Sequence, residues 1–323
     1  MKNILTTLAL VLIFAFGLVD AQNITNTLDI GGVFKIKDAT NDYLTLSQST
    51  GNLSLDRNME LGGITNSTST RGVITKNGTS FIHNYKVTGT DGYNTFIGLE
   101  AGNFTMSGSF SVQASYNTGV GYRSLYSLTT GYQNSAFGYL SLNSNTSGIR
   151  NSSFGDQSLY SNSIGINNSA FGYQSLYNTT GSSNTAIGFN AGSNISTGSN
   201  NIVIGNSAQV PDGTLNNQIR LGNTSITYAG IQVAWTVTSD RRYKENITPI
   251  GLGLGFISKL NPVSYVRKND EKGQTEYGLI AQEVELVLKE LGIENHAMLT
   301  ITDEGMYELR YNDLMVPMIK AIQ

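Results

Sequence analysis

An internal repeat in the middle of the chain limits the possible folds more than any other sequence feature. Seven units end in Asn-Ser/Thr-x-φ-Gly or a close variant, where φ is aliphatic or aromatic, and their glycines are Gly98, Gly121, Gly138, Gly155, Gly172, Gly188 and Gly205. Successive glycines lie 23, 17, 17, 17, 16 and 17 residues apart. A fixed period of this length is typical of stacked solenoid coils. We therefore predict a mainly β fold with a seven-unit β-roll over residues 92–210.

Two apolar positions recur in each unit, and we expect both to face the inside of the coil. The first is the residue before the glycine, as in Phe137, Phe154, Phe171, Ile187 and Ile204. The second is the leucine of Ser-Leu, as in Leu125, Leu142, Leu159 and Leu176. The recurring Asn is expected to form a side-chain ladder along the stack, and the glycine to permit positive φ or close backbone approach at a corner. A disordered linker would lack this periodic apolar pair.

Charged residues divide the chain sharply. Residues 92–210 carry four charged side chains, whereas residues 239–323 carry 23 of the total of 43. Such a shift in composition marks a domain boundary. We predict a β-rich shaft or cap over 22–91, a β linker over 211–238 and a small α+β domain over 239–323. Helical periodicity is found in that last domain, over 280–291 before Gly292 and over 312–322, where Pro317 should delay or kink the helix.

The N-terminal 21 residues have the pattern of a secretory signal peptide. Lys2 precedes a mostly apolar run over residues 4–19, and Val19-Asp20-Ala21 resembles a cleavage site. The mature chain would then begin near Gln22 and be secreted or displayed at a cell surface, without a membrane span once the signal is removed. The run is too short for a membrane-spanning helix, which was the alternative.

Composition excludes several classes of function. The chain has no cysteine and only two histidines, His83 and His296, so we expect no disulfide, no thiolate nucleophile, no metal site and no cofactor. A net charge of −3 gives no basic face for nucleic acid. The acidic residues of the repeat segment, Glu100 and Asp156, lie several units apart, which argues against the paired carboxylates of a glycosidase.

The repeats resemble the head repeats of trimeric autotransporter adhesins, which share the Asn-x-Ala-φ-Gly pattern. The adhesin repeat is shorter, and this sequence does not show the membrane barrel that ends those adhesins. The resemblance implies a homotrimeric β-roll that binds a cell-surface glycan or a host surface.

The C-terminal segment resembles the intramolecular chaperone auto-processing domain of phage endosialidase tailspikes. Four sequence blocks carry the resemblance in the expected order: Thr-Ser-Asp-Arg-Arg-Tyr-Lys-Glu-Asn-Ile at 238–247, Leu-Asn-Pro-Val-Ser-Tyr at 260–265, Tyr-Gly-Leu-Ile-Ala-Gln-Glu-Val at 277–284 and Leu-Arg-Tyr-Asn-Asp-Leu at 309–314. The resemblance implies a homotrimer and cleavage between Thr238 and Ser239. Because a helical tail follows the last block in that family, the tail is expected to be minimal here or the sequence truncated.

A Ser-Lys dyad is the chemistry that fits this segment. Ser239 would be the nucleophile and Lys244 the base, since a serine hydroxyl needs a group that takes its proton and no histidine lies nearby in sequence. Lysine can do so when uncharged, a form that burial or the charges of Arg241 and Arg242 would favour. The alternative is that Ser239 and Asp240 cap a short helix; the spacing alone favours the cap, and the resemblance favours the dyad. Asp240 is a supporting residue, orienting or capping the segment.

These observations predict a secreted trimeric fibre whose terminal domain assists trimer folding and then cuts itself off. Its enzymatic activity would be at most a single cut in cis, with no activity in trans. One alternative is a structural surface or matrix protein whose chaperone domain does not cut. A glycan-degrading spike is another.

Overall fold

A computed structural model describes three N-terminal strands and residues 73–294 and 296–323. The predicted signal peptide at 1–21 lies outside the described residues. Within the first compact unit, Met1–Gly63, strands β1 (Val33–Lys37), β2 (Asp42–Ser47) and β3 (Leu53–Leu55) form an antiparallel sheet in the order β1-β2-β3. The strands predicted around Tyr43–Ser47 and Leu53–Leu55 are therefore confirmed.

The second unit, Ile64–Gln323, is built around a β-solenoid. Its parallel strands are β6 (Thr95–Ile97), β7 (Thr118–Val120), β8 (Ser135–Phe137), β9 (Ser152–Phe154), β10 (Ser169–Phe171), β11 (Thr185–Ile187), β12 (Ile202–Ile204) and β13 (Ile219–Leu221). Equivalent residues of successive units pair directly, as Ala136 does with Ser153. An antiparallel hairpin of β4 (Ile74–Lys76) and β5 (Thr79–His83) extends the same sheet at its N-terminal end.

The predicted interior of the coil is correct for the leucines and wrong for the residue before each glycine. Leu125, Leu142, Leu159 and Leu176 are fully buried. The residues before the glycines point outward, and Phe137, Phe154, Phe171, Ile187 and Ile204 are 36–45% exposed. Their place inside is taken by the middle residue of each strand: Ala136, Ser153, Ala170, Ala186 and Val203. Side chains alternate between the two faces of a strand. The buried Asn and the residue two positions after it therefore both face inward. The Phe or Ile directly before the glycine faces outward.

The asparagine ladder is confirmed and runs inside the whole solenoid. In each step the side-chain Oδ1 of one Asn accepts the backbone N–H of the next, through Asn94, Asn117, Asn134, Asn151, Asn168, Asn184 and Asn201, and ends at Gln218. The side-chain amides donate to carbonyls of the following coil, for example from Asn151 to Gly165 at 2.8 Å. These bonds satisfy buried polar groups that would otherwise destabilise so narrow a core.

The repeat glycines form the corner that the sequence predicted. Gly155 has φ +143°, and a Cβ placed on it would lie 2.4 Å from the carbonyl oxygen of Gly172 in the next coil. Coils therefore approach one another through bare backbone at this corner, which only glycine allows.

The C-terminal region is a small α+β domain. Its elements are α1 (Leu254–Ile257), β14 (Val263–Val266), β15 (Thr275–Gly278), α2 (Ala281–Glu290), β16 (Leu299–Ile301), β17 (Tyr307–Leu309) and α3 (Met315–Ile322). Phe256, Val284, Leu288, Met298 and Leu314 form its core. Both predicted helices are confirmed: Gly292 follows α2 with φ +73°, and α3 starts late, with Pro317 in its first turn. Among the described residues no helix is long and apolar enough to cross a membrane.

Candidate functional site

The segment that leads into the C-terminal domain contains the predicted cleavage site. After β13 the chain runs without helix or strand to a 3₁₀ turn at Arg241–Tyr243. Asp240 precedes this turn with extended backbone angles and caps it, since its Oδ1 accepts the backbone N–H of Arg242 at 2.8 Å. Asp240 therefore caps the turn, which is one of the two roles that the sequence allowed for this residue.

Asp240 also engages the side chain of Arg242. The two carry an ion pair of 2.7 Å between Arg242 Nη2 and Asp240 Oδ2. The bonds from the side chain and then the backbone of Arg242 hold the pKa of the Asp240 carboxyl below its usual value. Asp240 therefore offsets the charge of Arg242.

The turn brings Ser239 and Lys244 together. Lys244 follows the turn, and its backbone N–H donates to Arg241 O at 3.0 Å. Its side chain folds back along the turn, so that Nζ donates to Ser239 Oγ at 2.6 Å. Ser239 itself does not act as the cap, because Asp240 does. The hydroxyl of Ser239 is therefore in contact with the one residue that the sequence proposed as its base.

The site is open to solvent in a single chain. Thr238, Ser239 and Lys244 are all exposed. Large apolar side chains flank them and are exposed as well, with Trp235 at 75% and Tyr243 at 81%. Water competes with every charge and hydrogen bond at an exposed site, so Ser239 and Lys244 are in contact but remain accessible to water in a single chain.

The described residues around Ser239 and Lys244 do not form a group of metal-binding side chains. Within the described residues no cluster of three or more His, Asp or Glu side chains is placed to hold an ion. Of the two histidines, His83 is buried at the N-terminal end of the solenoid, where its Nε2 lies 2.7 Å from Ala101 O, and His296 lies in the C-terminal domain.

Sequence reasoning missed how the C-terminal domain contacts the solenoid. Asp303, between β16 and β17, bonds to the last coil at Pro211 and Gly213, and Glu308 pairs with Arg220 of β13. Gly213 and Asp303 are 90 positions apart, and neither belongs to a recognisable motif. Arg220 was the available signal, because it occupies a strand position that small apolar or hydroxyl residues hold in strands β7 to β12.

Comparison with known proteins agrees with the resemblance of the first three C-terminal blocks. Residues 239–293 match the model of the family described as chaperone of endosialidase. No curated protein and no solved structure matches the chain. The family match begins at Ser239, the residue that the 3₁₀ turn brings against Lys244. Residues 239–293, which follow the β-solenoid, are therefore similar to the chaperone-of-endosialidase family.

Proposed function

We propose that this protein is a secreted, homotrimeric fibre whose C-terminal domain assists its assembly and then cuts itself off between Thr238 and Ser239. The solenoid and the chaperone domain together fit a trimeric fibre. The apolar N-terminal run supports export, and a cell-surface glycan or a host surface is the proposed partner of the fibre. The 2.6 Å contact between Lys244 Nζ and Ser239 Oγ is the observation that carries the cleavage proposal.

The contact suits a one-time acyl shift followed by hydrolysis. With Lys244 uncharged, Nζ takes the hydroxyl proton while Oγ attacks the carbonyl carbon of Thr238. The bond from that carbon to the nitrogen of Ser239 breaks, and the nitrogen receives the proton from Lys244. Water then hydrolyses the resulting ester, which leaves a carboxylate on Thr238 and returns the hydroxyl and a free amine to Ser239.

Trimer assembly would supply the burial that this chemistry needs. Beside the dyad, Ile231, Val233, Trp235 and Val237 alternate along the chain and are 57–78% exposed. An exposed apolar row of this kind marks an interaction surface. Neighbouring protomers that cover the row would exclude water from Lys244 and favour its uncharged form. Cutting would then follow assembly, and it would trap the assembled fibre kinetically.

Purification of wild-type and variant chains tests the cut. We expect wild type to yield a fragment that begins at Ser239, and Ser239→Ala and Lys244→Ala to leave the chain whole. Lys268→Ala is the matched control, because Lys268 is another exposed lysine of the same domain. Cleavage that persists in Ser239→Ala would refute the mechanism. A wild-type chain that assembles without any cut would instead support the structural protein with a non-cleaving chaperone domain.

A glycan-degrading spike gains no support from the solenoid. Glu100 is ion-paired with Arg123, and Asp156 stands apart from it on a different coil. Glycosidases require two carboxylates that flank one bond, roughly 5–10 Å apart.

A further inference from the structure

The end of the solenoid differs from its body in one respect. From β7 to β12 the middle strand residues along the inside of the coil are small, and Val203 of β12 is the last of them. Its partner on β13 is Arg220. The Nε of Arg220 donates to Gln209 O of the same coil at 2.9 Å, and its Nη2 reaches Glu308 Oε1 of the C-terminal domain at 2.7 Å. The inner row of the fibre thus ends in a cation that faces a carboxylate of the chaperone domain.

A second pair of bonds joins the same two elements. The backbone N–H of Asp303 donates to Pro211 O at 2.6 Å, and its Oδ2 accepts the N–H of Gly213 at 2.9 Å. Gly213 O in turn accepts from Ser196 and Gly198 of the preceding coil. The backbone groups that Asp303 contacts are therefore in place only when the last coil has closed against its neighbour.

We propose that the hairpin β16–β17 is the element by which the C-terminal domain recognises the completed last coil, and that this contact holds the domain on the fibre after the chain is cut. We call the contact the hairpin clasp; it comprises Asp303 and Glu308 on the hairpin and Pro211, Gly213 and Arg220 on the coil. The clasp can form only after the last coil has folded, because folding brings Pro211, Gly213 and Arg220 together. The part of the proposal that concerns cutting rests on the proposed function.

The hairpin clasp is a contact that can be broken without unfolding either part. A cavity of about 230 Å³ remains between coil and hairpin, lined by Gln209 and Tyr307 among others. Around this cavity Asp303 and Glu308 join the hairpin to the coil through polar bonds. Bonds to charged groups contribute more than neutral ones, so the loss of both carboxylates should weaken the contact by about tenfold or more.

A severed chain tests the clasp independently of self-cleavage. The full chain would carry Ser239→Ala and a site-specific protease sequence inserted after Gly230, where the backbone is exposed. After protease treatment, size-exclusion chromatography over a dilution series reports the concentration at which the two fragments separate. We expect Asp303→Ala/Glu308→Ala fragments to separate at a concentration about tenfold or more above that of the parent.

Glu304→Ala is the matched control, since Glu304 is a carboxylate of the same turn for which the structure shows neither a hydrogen bond nor an ion pair. Its fragments should separate at the parent's concentration. Unchanged thermal unfolding of the double variant would show that the coil itself remains folded. The proposal is overturned if parent and double variant separate at the same concentration, or if the double variant's solenoid unfolds and so accounts for the separation. Absence of self-cleavage would leave this result intact, because the added protease makes the cut.

Discussion

At the scale of single residues, the solenoid depends on buried polar side chains that satisfy one another. Asn151 is fully buried; its Nδ2 donates to Asn134 and Gly165, and its Oδ1 accepts the N–H of Asn168. Each rung therefore satisfies groups on the coils before and after it. The ladder specifies the register of the repeat, since a shifted coil would leave several of these groups without partners.

Removing one rung should destabilise the fibre measurably. Asn151→Ala leaves Gly165 O and the N–H of Asn168 buried without this partner, and we expect a loss of about 3 kcal/mol in the free energy of unfolding. Denaturant unfolding followed by circular dichroism would measure it. Asn178→Ala is the control, because the exposed Asn178 makes a single bond, to Ser193 O. Equal losses in the two variants would contradict the role of the ladder.

His83 should make the N-terminal end of the solenoid sensitive to acid. Burial lowers its pKa from the ordinary 6.5, against the opposing effect of its bond with Ala101 O. Nδ1 accepts from the N–H of Tyr85 at 3.3 Å, and the ring lies against Phe96 and Phe104, so no acidic group compensates a charged ring among these contacts. The unfolded chain therefore binds this proton more readily than the folded chain does. The contribution of His83 to the free energy of unfolding is fully present above pH 6.5 and falls as the pH drops below that value.

Melting temperatures between about pH 7 and pH 5 would reveal this dependence. We expect His83→Gln to remove most of it, because glutamine can donate to Ala101 O without titrating. His296→Gln serves as the control for the other histidine. A wild-type melting temperature that stays constant over this range would show the account of His83 to be wrong.

At the scale of elements, the corner glycines determine how closely the coils stack. Gly155→Ala would combine a positive φ with a clash against backbone of the next coil. Strain of this kind amounts to about 3 kcal/mol, since neighbouring backbone cannot move aside as a flexible side chain would. Gly273→Ala is the control; Gly273 has φ +60° but open space around it, so we expect about 1 kcal/mol there. Chemical denaturation compares the two variants, and a Gly155→Ala chain as stable as Gly273→Ala would contradict the steric account.

Local patterns predicted the solenoid repeat and the two longer helices, and the catalytic roles of Ser239 and Lys244 stay a prediction. The period of about 17 residues, the buried leucines and the Asn ladder follow from the repeat, and α2 from its apolar spacing. The spacing of Ser239 and Lys244 allowed their contact, because two residues that are five positions apart can meet when the chain turns back between them. The outward orientation of Phe137, Phe154 and Phe171, here called the Phe row, was not predicted. Hydrophobicity alone does not determine which face of a three-residue strand is buried. The clasp joins residues 90 positions apart, which no local pattern reveals.

At the scale of the whole molecule, apolar surface remains that a single chain leaves uncovered. The outward row before the glycines stacks in register, with ring centroids of Phe137, Phe154 and Phe171 4.9 and 5.0 Å apart. Helix α3 adds a second such surface, in which Met315, Val316, Met318, Ile319 and Ile322 are 51–86% exposed. Contiguous exposed apolar surface on this scale is typical of proteins that associate.

We expect the Phe row to lie between protomers of the proposed trimer. Phe154→Ser/Phe171→Ser should therefore shift the fibre toward monomer in light scattering coupled to size exclusion. The control is Tyr160→Ser/Tyr177→Ser, which removes a pair stacked at 5.1 Å on the same two coils but at a different position of the repeat. A trimer that is unchanged in the Phe variant, or lost equally in both variants, would place the protomer contact elsewhere.

The central claim is that assembly and a single cut at Ser239 belong to one process. Mass spectrometry of the purified wild-type chain, under native and denaturing conditions, tests it most directly. The account predicts a C-terminal fragment that begins at Ser239, an upstream fragment that is trimeric under native conditions, and neither fragment from Ser239→Ala. An intact wild-type chain, a cut at another position, or a cut that persists in Ser239→Ala would contradict it.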